Sequence, residues 1–289
     1  MRFLVTTRNY VAFWDGSNVR KLDQHEPHPV SYFYGLSYFQ PTEELIYTRT
    51  APDGSCEIRA MSPWRGRGPR VVHRYEGAPL LHQLLCMDSM IWVAATGIDS
   101  MHRFDYDGRA MKKRDGFSFG DGKSRVKHIN SVAVMRDTAY VCAHNLSVKP
   151  GEIYALDRRS LKHLGTVEAG VAIHNCWPVD GGAGIATLAS KNNELWRLYP
   201  AHRRRVGAHV LGDGYLRGVG ANADETLIGS SPIASRELRI HGDGKVRAFD
   251  PEFTKMRREL TFKGAGQVYE IRLVGEPDAA HSGKTIPSL

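Results

Sequence analysis

The 289-residue chain is 42% apolar and 24% charged, too hydrophobic for a disordered polymer and ordinary for a packed one. No apolar run approaches the roughly 18–20 residues of a membrane helix, and the start, Met1-Arg2-Phe3-Leu4-Val5-Thr6-Thr7, lacks the apolar stretch and cleavage site of a secretory signal. A formal charge of +8 raises nucleic acid as a partner, but Lys112-Lys113-Arg114, Arg203-Arg204-Arg205 and the group Arg65, Arg67, Arg70 and Arg74 lie in separate turn-like segments. They read as solvated turn charge, so nucleic-acid binding is disfavoured, with attraction of an anionic small substrate as a third reading.

Taken in chain order, the elements are short strands. Phe3-Leu4-Val5-Thr6, Tyr10-Val11-Ala12-Phe13-Trp14 and Val19-Arg20-Lys21-Leu22 come first. One pattern then recurs, an apolar strand that often closes on Asp before a tight turn. Its copies end at residues 15, 62, 105, 157, 200 and 250, 43 to 52 residues apart. Two further strand-like segments precede each of the last five copies. Examples are Leu81-His82-Gln83-Leu84-Leu85-Cys86 with Met90-Ile91-Trp92-Val93-Ala94-Ala95, and Tyr215-Leu216-Arg217-Gly218-Val219-Gly220-Ala221 with Thr226-Leu227-Ile228-Gly229. β-Branched and aromatic enrichment with Gly/Asp/Asn turns makes each unit four strands. Four-stranded units at this spacing are propeller blades.

Five whole units span about residues 32 to 263, leaving a piece at each end. The closing Gly266-Gln267-Val268-Tyr269-Glu270-Ile271-Arg272-Leu273 reads as an inner strand with nothing after it. The first three strands complete it. The expected fold is therefore all-β, a single six-bladed propeller over residues 1–276, whose sixth blade combines residues 1–22 with 266–274. Such closure removes sheet edges. Residues 277–289 are expected to form a polar mobile tail. Cys56, Cys86, Cys142 and Cys176 are far apart and embedded in apolar strand patterns, so they read as buried free thiols rather than disulfides or metal ligands. A soluble, cytoplasmic protein follows from these readings.

The units lack the Gly-His and Trp-Asp signatures of WD40 repeats, and kelch signatures too. The chain resembles instead the broad six-bladed class of NHL-repeat, gluconolactonase-like and strictosidine-synthase-like propellers. Arg217-Gly218-Val219 leading to Gly229-Ser230-Ser231 and Arg236, together with Val268-Tyr269-Glu270-Ile271, also resemble an uncharacterised family of bacterial propellers that brings no settled activity. In enzymes of the wider class the reaction usually sits at one end of the channel, often with a metal. The peptidylglycine-cleaving lyase among them holds zinc with histidines from separate blades.

The first residues of each inner strand sit at one rim of the channel. Aligning the units places His82, Asn130, Asn175 and Arg217 in one register, with Tyr34 the nearest counterpart in the first. His128, two before Asn130, shares its side of the strand. His174 is one residue out of step and needs a bulge or a slip to face the same way. A divalent metal (zinc, or iron, copper or nickel) on His82, His128 and His174 is the sharp reading, since three imidazoles with one open position is a catalytic pattern. Arg217 would clamp a carboxylate or phosphate, and Tyr34 or Glu270 would serve as general acid or base. Asn130, Asn175, His144 and Arg236 would contact the substrate. The bland reading is that these groups bond only one another and water.

Two functions fit these residues. One is an enzyme acting on a small polar or anionic molecule at the channel mouth, by metal-assisted lyase, hydrolase or isomerase chemistry in a biosynthetic setting. The other is a non-enzymatic propeller scaffold that docks a protein or peptide.

Overall fold

A computed structural model describes residues 1–77, 80–120, 126–199, 204–233, 235 and 238–289. The chain opens with β1 (Phe3–Thr7), β2 (Tyr10–Trp14) and β3 (Val19–Gln24). Blade one is β4 (Tyr32–Phe39), β5 (Glu44–Thr50), β6 (Cys56–Ser62) and β7 (Arg67–Tyr75). Blade two is β8 (Leu81–Met87), β9 (Met90–Ala95), β10 (Ser100–Tyr106) and β11 (Met111–Ser118). Blade three follows as β12 (Ile129–Met135), β13 (Thr138–Ala143), β14 (Glu152–Asp157) and β15 (His163–Glu168). Blade four is β16 (Ile173–Val179), β17 (Gly184–Ala189), β18 (Glu194–Tyr199) and β19 (Arg204–Val210). Blade five is β20 (Tyr215–Ala221), β21 (Thr226–Ser231), β22 (Gly244–Phe249) and β23 (Met256–Phe262), with the one-turn helix α1 (Leu238–His241) between its middle strands.

The sixth sheet has the order β24-β1-β2-β3, where β24 is Val268–Leu273. Phe3 pairs with Leu273 and Val5 with Ile271, so the two chain ends lock the ring as the repeat count requires. Inner strands are buried on both faces and read as continuous apolar runs. Outer strands are not: β23 exposes most of Met-Arg-Arg-Glu-Leu-Thr-Phe. The core lies between adjacent blades, as where Phe39, Ile46 and Ile58 meet Leu84, Ile91, Val93 and Phe104. Each such side chain contributes roughly 1.5–3 kcal/mol by leaving water. Arginines bolt the blades together outside the core: Arg70 donates to the Gly108 carbonyl at 2.7 Å and Arg103 to that of Arg158 at 2.7 Å. All four cysteines are buried and unbonded to one another.

Every inner strand breaks register against its neighbour near the same rim. The shifts fall between Phe33 and Leu36, Leu81 and Leu84, Ile129 and Ser131, His174 and Cys176, and Arg217 and Val219. In the sixth blade Val268 and Glu270 pair with consecutive residues, leaving Tyr269 extra. A bulge re-aims the side chains around it, and here it does so six times around one opening. Two glycines permit it. A Cβ on Gly218, whose φ is +75°, would lie 3.0 Å from the Glu270 Cα, and one on Gly35 would lie 2.4 Å from the Leu84 amide nitrogen.

The C-terminal segment differs from the expected mobile tail. Asp278, Ala280, His281 and Ile286 are buried. Asp278 accepts from the amides of Ala221 (3.1 Å), Leu273 (2.9 Å) and Ala280 (3.1 Å), and His281 Nε2 donates to the Val219 carbonyl at 2.8 Å. The polar residues that make this stretch look solvated instead cover otherwise unsatisfied inner-strand amides at the far end of the channel.

Candidate functional site

The bulged rim gathers one aromatic or cationic side chain after another into a closed circuit. Tyr34 stacks between Tyr269 (centroids 4.5 Å apart) and His82 (4.2 Å). His82 meets His128 at 5.0 Å, His128 meets His144 at 4.9 Å, and His144 meets His174 at 4.8 Å. His174 lies 5.4 Å from Tyr215. The Arg217 guanidinium closes the circuit, 5.0 Å from the Tyr215 ring, 5.4 Å from Tyr269 and 5.7 Å from Tyr34. All six blades contribute.

Local structure places each member. His128 precedes β12 with φ of +51°, and the buried Asp99 carboxylate holds that turn by accepting from the amides of Lys127 and His128, both at 2.6 Å. His144 begins the β13–β14 loop, where Asn145, Leu146 and Ser147 all have φ between +51° and +61°. Three consecutive non-glycine residues in that region hold strain of the kind found at functional sites. The loop is strapped down by bonds from His144 N to His128 O (3.1 Å) and from Asn145 N to Lys127 O (2.7 Å). The bulge at Asn175, φ +55°, lets His174 face the circuit despite being one residue out of step in the sequence alignment.

Arg217 is half-buried, and among the described residues no carboxylate lies within ion-pair distance of it. Burial opposes its charge, but the oxygens of Tyr34, Tyr215 and Tyr269 outweigh that and raise its pKa. It is a permanent cation in an aromatic box. The Tyr34 phenol is pushed well above its ordinary value by burial, with Arg217 working the other way, so it is a neutral hydrogen-bond donor at any ordinary pH.

His174 is 1% exposed. Its Nδ1 lies 2.9 Å from both the Ala172 carbonyl and Ser190 Oγ, and Ser190 gives its own proton to the Leu216 carbonyl. The Nδ1 proton is thereby assigned, leaving Nε2 as an unprotonated acceptor with no partner among the described residues. Burial first, then Arg217 and the other three imidazoles, hold its pKa well below the ordinary value. Native His174 thus stays neutral where the unfolded chain takes up a proton, below about pH 6.5. Its stability contribution is full above that pH and is lost as pH falls, by at most about 2 kcal/mol at pH 5, the ceiling set by the unfolded-state pKa. Denaturant melts of wild type and His174→Gln at pH 7 and pH 5 check this. The gap between them should narrow by up to that amount, and a constant gap would contradict a neutral buried imidazole.

The structure brings together His82, His128, His144, His174, Tyr34 and Arg217. It places Asn130, Asn175 and Glu270 differently from the expectation. Asn130 gives its amide to the Ile173 carbonyl at 2.8 Å. Asn175 accepts from the Gly218 amide at 2.8 Å and donates to Glu270 at 3.3 Å. Glu270 is fully buried and paired with Arg272 at 2.7 Å. These three stitch inner strands together because each bulge frees backbone groups that need a side-chain partner. Arg236 lies outside the described residues. Among those described, no three His, Cys, Asp or Glu side chains are placed to hold a metal ion as they stand; the imidazoles follow one another around the opening.

The sequence reading passed over Tyr32, Tyr215 and Arg8. Tyr32 and Tyr215 sit two residues before Tyr34 and Arg217, so the period of two could have found them. Arg8, in the β1–β2 turn, lies 5.8 Å over the Tyr32 ring, and only the closure of the sixth blade brings it to the rim.

No known family's sequence profile matches the chain, and no curated protein matches it in sequence. Its fold is similar to solved structures. A chain from the nidogen/laminin complex is 14% identical with a TM-score of 0.67, covering 94% of this chain and 97% of that one. A protein of unknown function from Bacteroides caccae is 12% identical with a TM-score of 0.68 and the same coverage. A chain from the mitotic checkpoint complex is 10% identical with a TM-score of 0.61, covering 94% and 80%. At these identities the likeness is one of fold. Among the described residues no helix is long and apolar enough to cross a membrane.

Proposed function

We propose that the chain is an enzyme acting on a small organic anion, a carboxylate or phosphate, at the bulged rim. The observation that carries this is Arg217, a cation boxed by three tyrosines with no described carboxylate to neutralise it. A planar guanidinium in such a box offers two parallel donors to an incoming carboxylate or phosphate. The neutral His174 Nε2 supplies a proton acceptor, and the Tyr34 phenol a neutral donor. The four neighbouring imidazoles support a second, metal-assisted form of the same reading with zinc, iron, copper or nickel. As placed, no three of them converge, so a metal would require the rings of His82, His128 or His174 to turn. Resemblance to NHL-repeat and gluconolactonase-like propellers enters only as fold analogy.

The test is a calorimetric screen of small carboxylates and phosphates, combined with elemental mass spectrometry of tag-free protein purified without chelators. At least one anion should bind stoichiometrically. Near-stoichiometric metal that disappears in His128→Ala would select the metal-assisted form. Failure of every anion to bind, with no metal retained, would overturn the reading in favour of a docking scaffold.

A further inference from the structure

The opposite face of the ring carries a separate cavity. It has a volume of about 670 Å³ and opens between the far ends of the inner strands in blades three to five, within the range of small-molecule sites. Trp177, Phe253, Met135 and Val179 supply apolar wall, and Arg136 and Arg197 supply charge. Arg197 stands 5.3 Å over the Phe253 ring and spends one nitrogen on the Pro251 carbonyl at 2.9 Å. Its Nε is buried without a hydrogen-bond partner among the described residues. None of those residues forms an ion pair with Arg136 or Arg197. The carboxylate of Asp180 also lines the cavity, where it accepts from the Tyr199 hydroxyl.

A cavity whose wall sets aromatic side chains beside two guanidiniums without described ion-pair partners, one of them stacked over Phe253, selects an amphipathic anion. We propose that it is a second ligand site, for an aromatic carboxylate or sulfonate whose rings lie against Trp177 and Phe253 while its anionic group meets Arg136 and Arg197. Aromatic surface gives the area and the two guanidiniums give orientation. The docked C-terminal segment forms one wall through Ala279, Ser282 and Gly283. The bonds of Asp278 and His281 described above hold that wall in place, which gives the segment a role beyond closing the channel.

The probe is 8-anilinonaphthalene-1-sulfonate, an aromatic sulfonate whose fluorescence reports binding, titrated into the folded full-length chain. Arg136 and Ala223 are both exposed at the cavity edge, so Arg136→Asn and Ala223→Trp should leave the fold intact. Asparagine also tolerates the φ of +54° at position 136. One saturable site per chain is expected, with each variant binding at least about tenfold more weakly and Arg217→Gln binding as wild type does. 1-Naphthoate should displace the probe. Binding that does not saturate, that both variants leave unchanged, or that Arg217→Gln abolishes would overturn the proposal, the last by placing the probe at the other rim.

Discussion

Replacing Arg217 with glutamine should weaken anion binding at the bulged rim by about 100-fold while costing no more than about 2 kcal/mol of stability. The first half follows from the strength of a charge-assisted hydrogen bond to a partly buried anion, up to about 3 kcal/mol, or two decades of affinity. The second follows from what surrounds the guanidinium. A typical buried arginine is paired, and its removal strands a carboxylate. Arg217 has tyrosine rings instead, so truncation strands no described charge and removes only the cation–π contacts that favour the guanidinium. Arg217→Lys separates charge from geometry: it keeps the cation but loses the planar fork, and should fall between wild type and glutamine. Calorimetry of the three proteins against one anion from the screen, with thermal melts alongside, decides it. A glutamine variant that binds as well as wild type, or that melts far lower, would make Arg217 a structural residue.

The sequence carried the blades and their closure because both depend on patterns local to each strand. Alternation, turn residues and a 43- to 52-residue spacing survive without knowledge of the third dimension. The rim residues were legible for the same reason, since strand starts come to one end of a propeller whatever the sequence between them. His174 shows where strand periodicity stops short. Its position was ambiguous by one residue, and the resolution lies in Asn175 adopting φ of +55°, which periodicity does not encode. The same bulges turn Asn130 and Asn175 from rim residues into stitches between strands. Glu270 was misplaced differently. Its neighbour Tyr269 is the bulged residue, so the carboxylate moves off the rim and into the channel beside Arg272. The C-terminal segment looked solvated because Asp278, His281 and Lys284 are polar, and only the ring's open far end shows what they cover.

Glu270 and Arg272 set up the largest stability effect. Both are essentially fully buried, with Glu270 Oε1 2.7 Å from Arg272 Nη1, and Arg272 also donates to the Ile271 carbonyl at 2.9 Å. Burial raises the Glu270 pKa, and Arg272 is the main force opposing that rise. Arg272→Met should therefore destabilise the propeller by about 3–5 kcal/mol, because it leaves a buried carboxylate with only neutral hydrogen-bond donors, from Asn175, Gln83 and the Ile271 amide, for support. The loss should grow with pH. Without Arg272 the folded-state pKa of Glu270 climbs further above its unfolded value, so the native state favours the protonated acid. That advantage is full below the unfolded pKa and is lost as pH rises through the folded one. The double variant Glu270→Leu/Arg272→Met removes both charges with little change in volume and should recover most of the loss, since apolar replacements of buried pairs are often neutral or stabilising. Urea melts of the single and double variants at pH 5 and pH 8 measure all three effects. A single variant that costs less than about 1 kcal/mol at pH 8 would mean that the carboxylate reaches solvent.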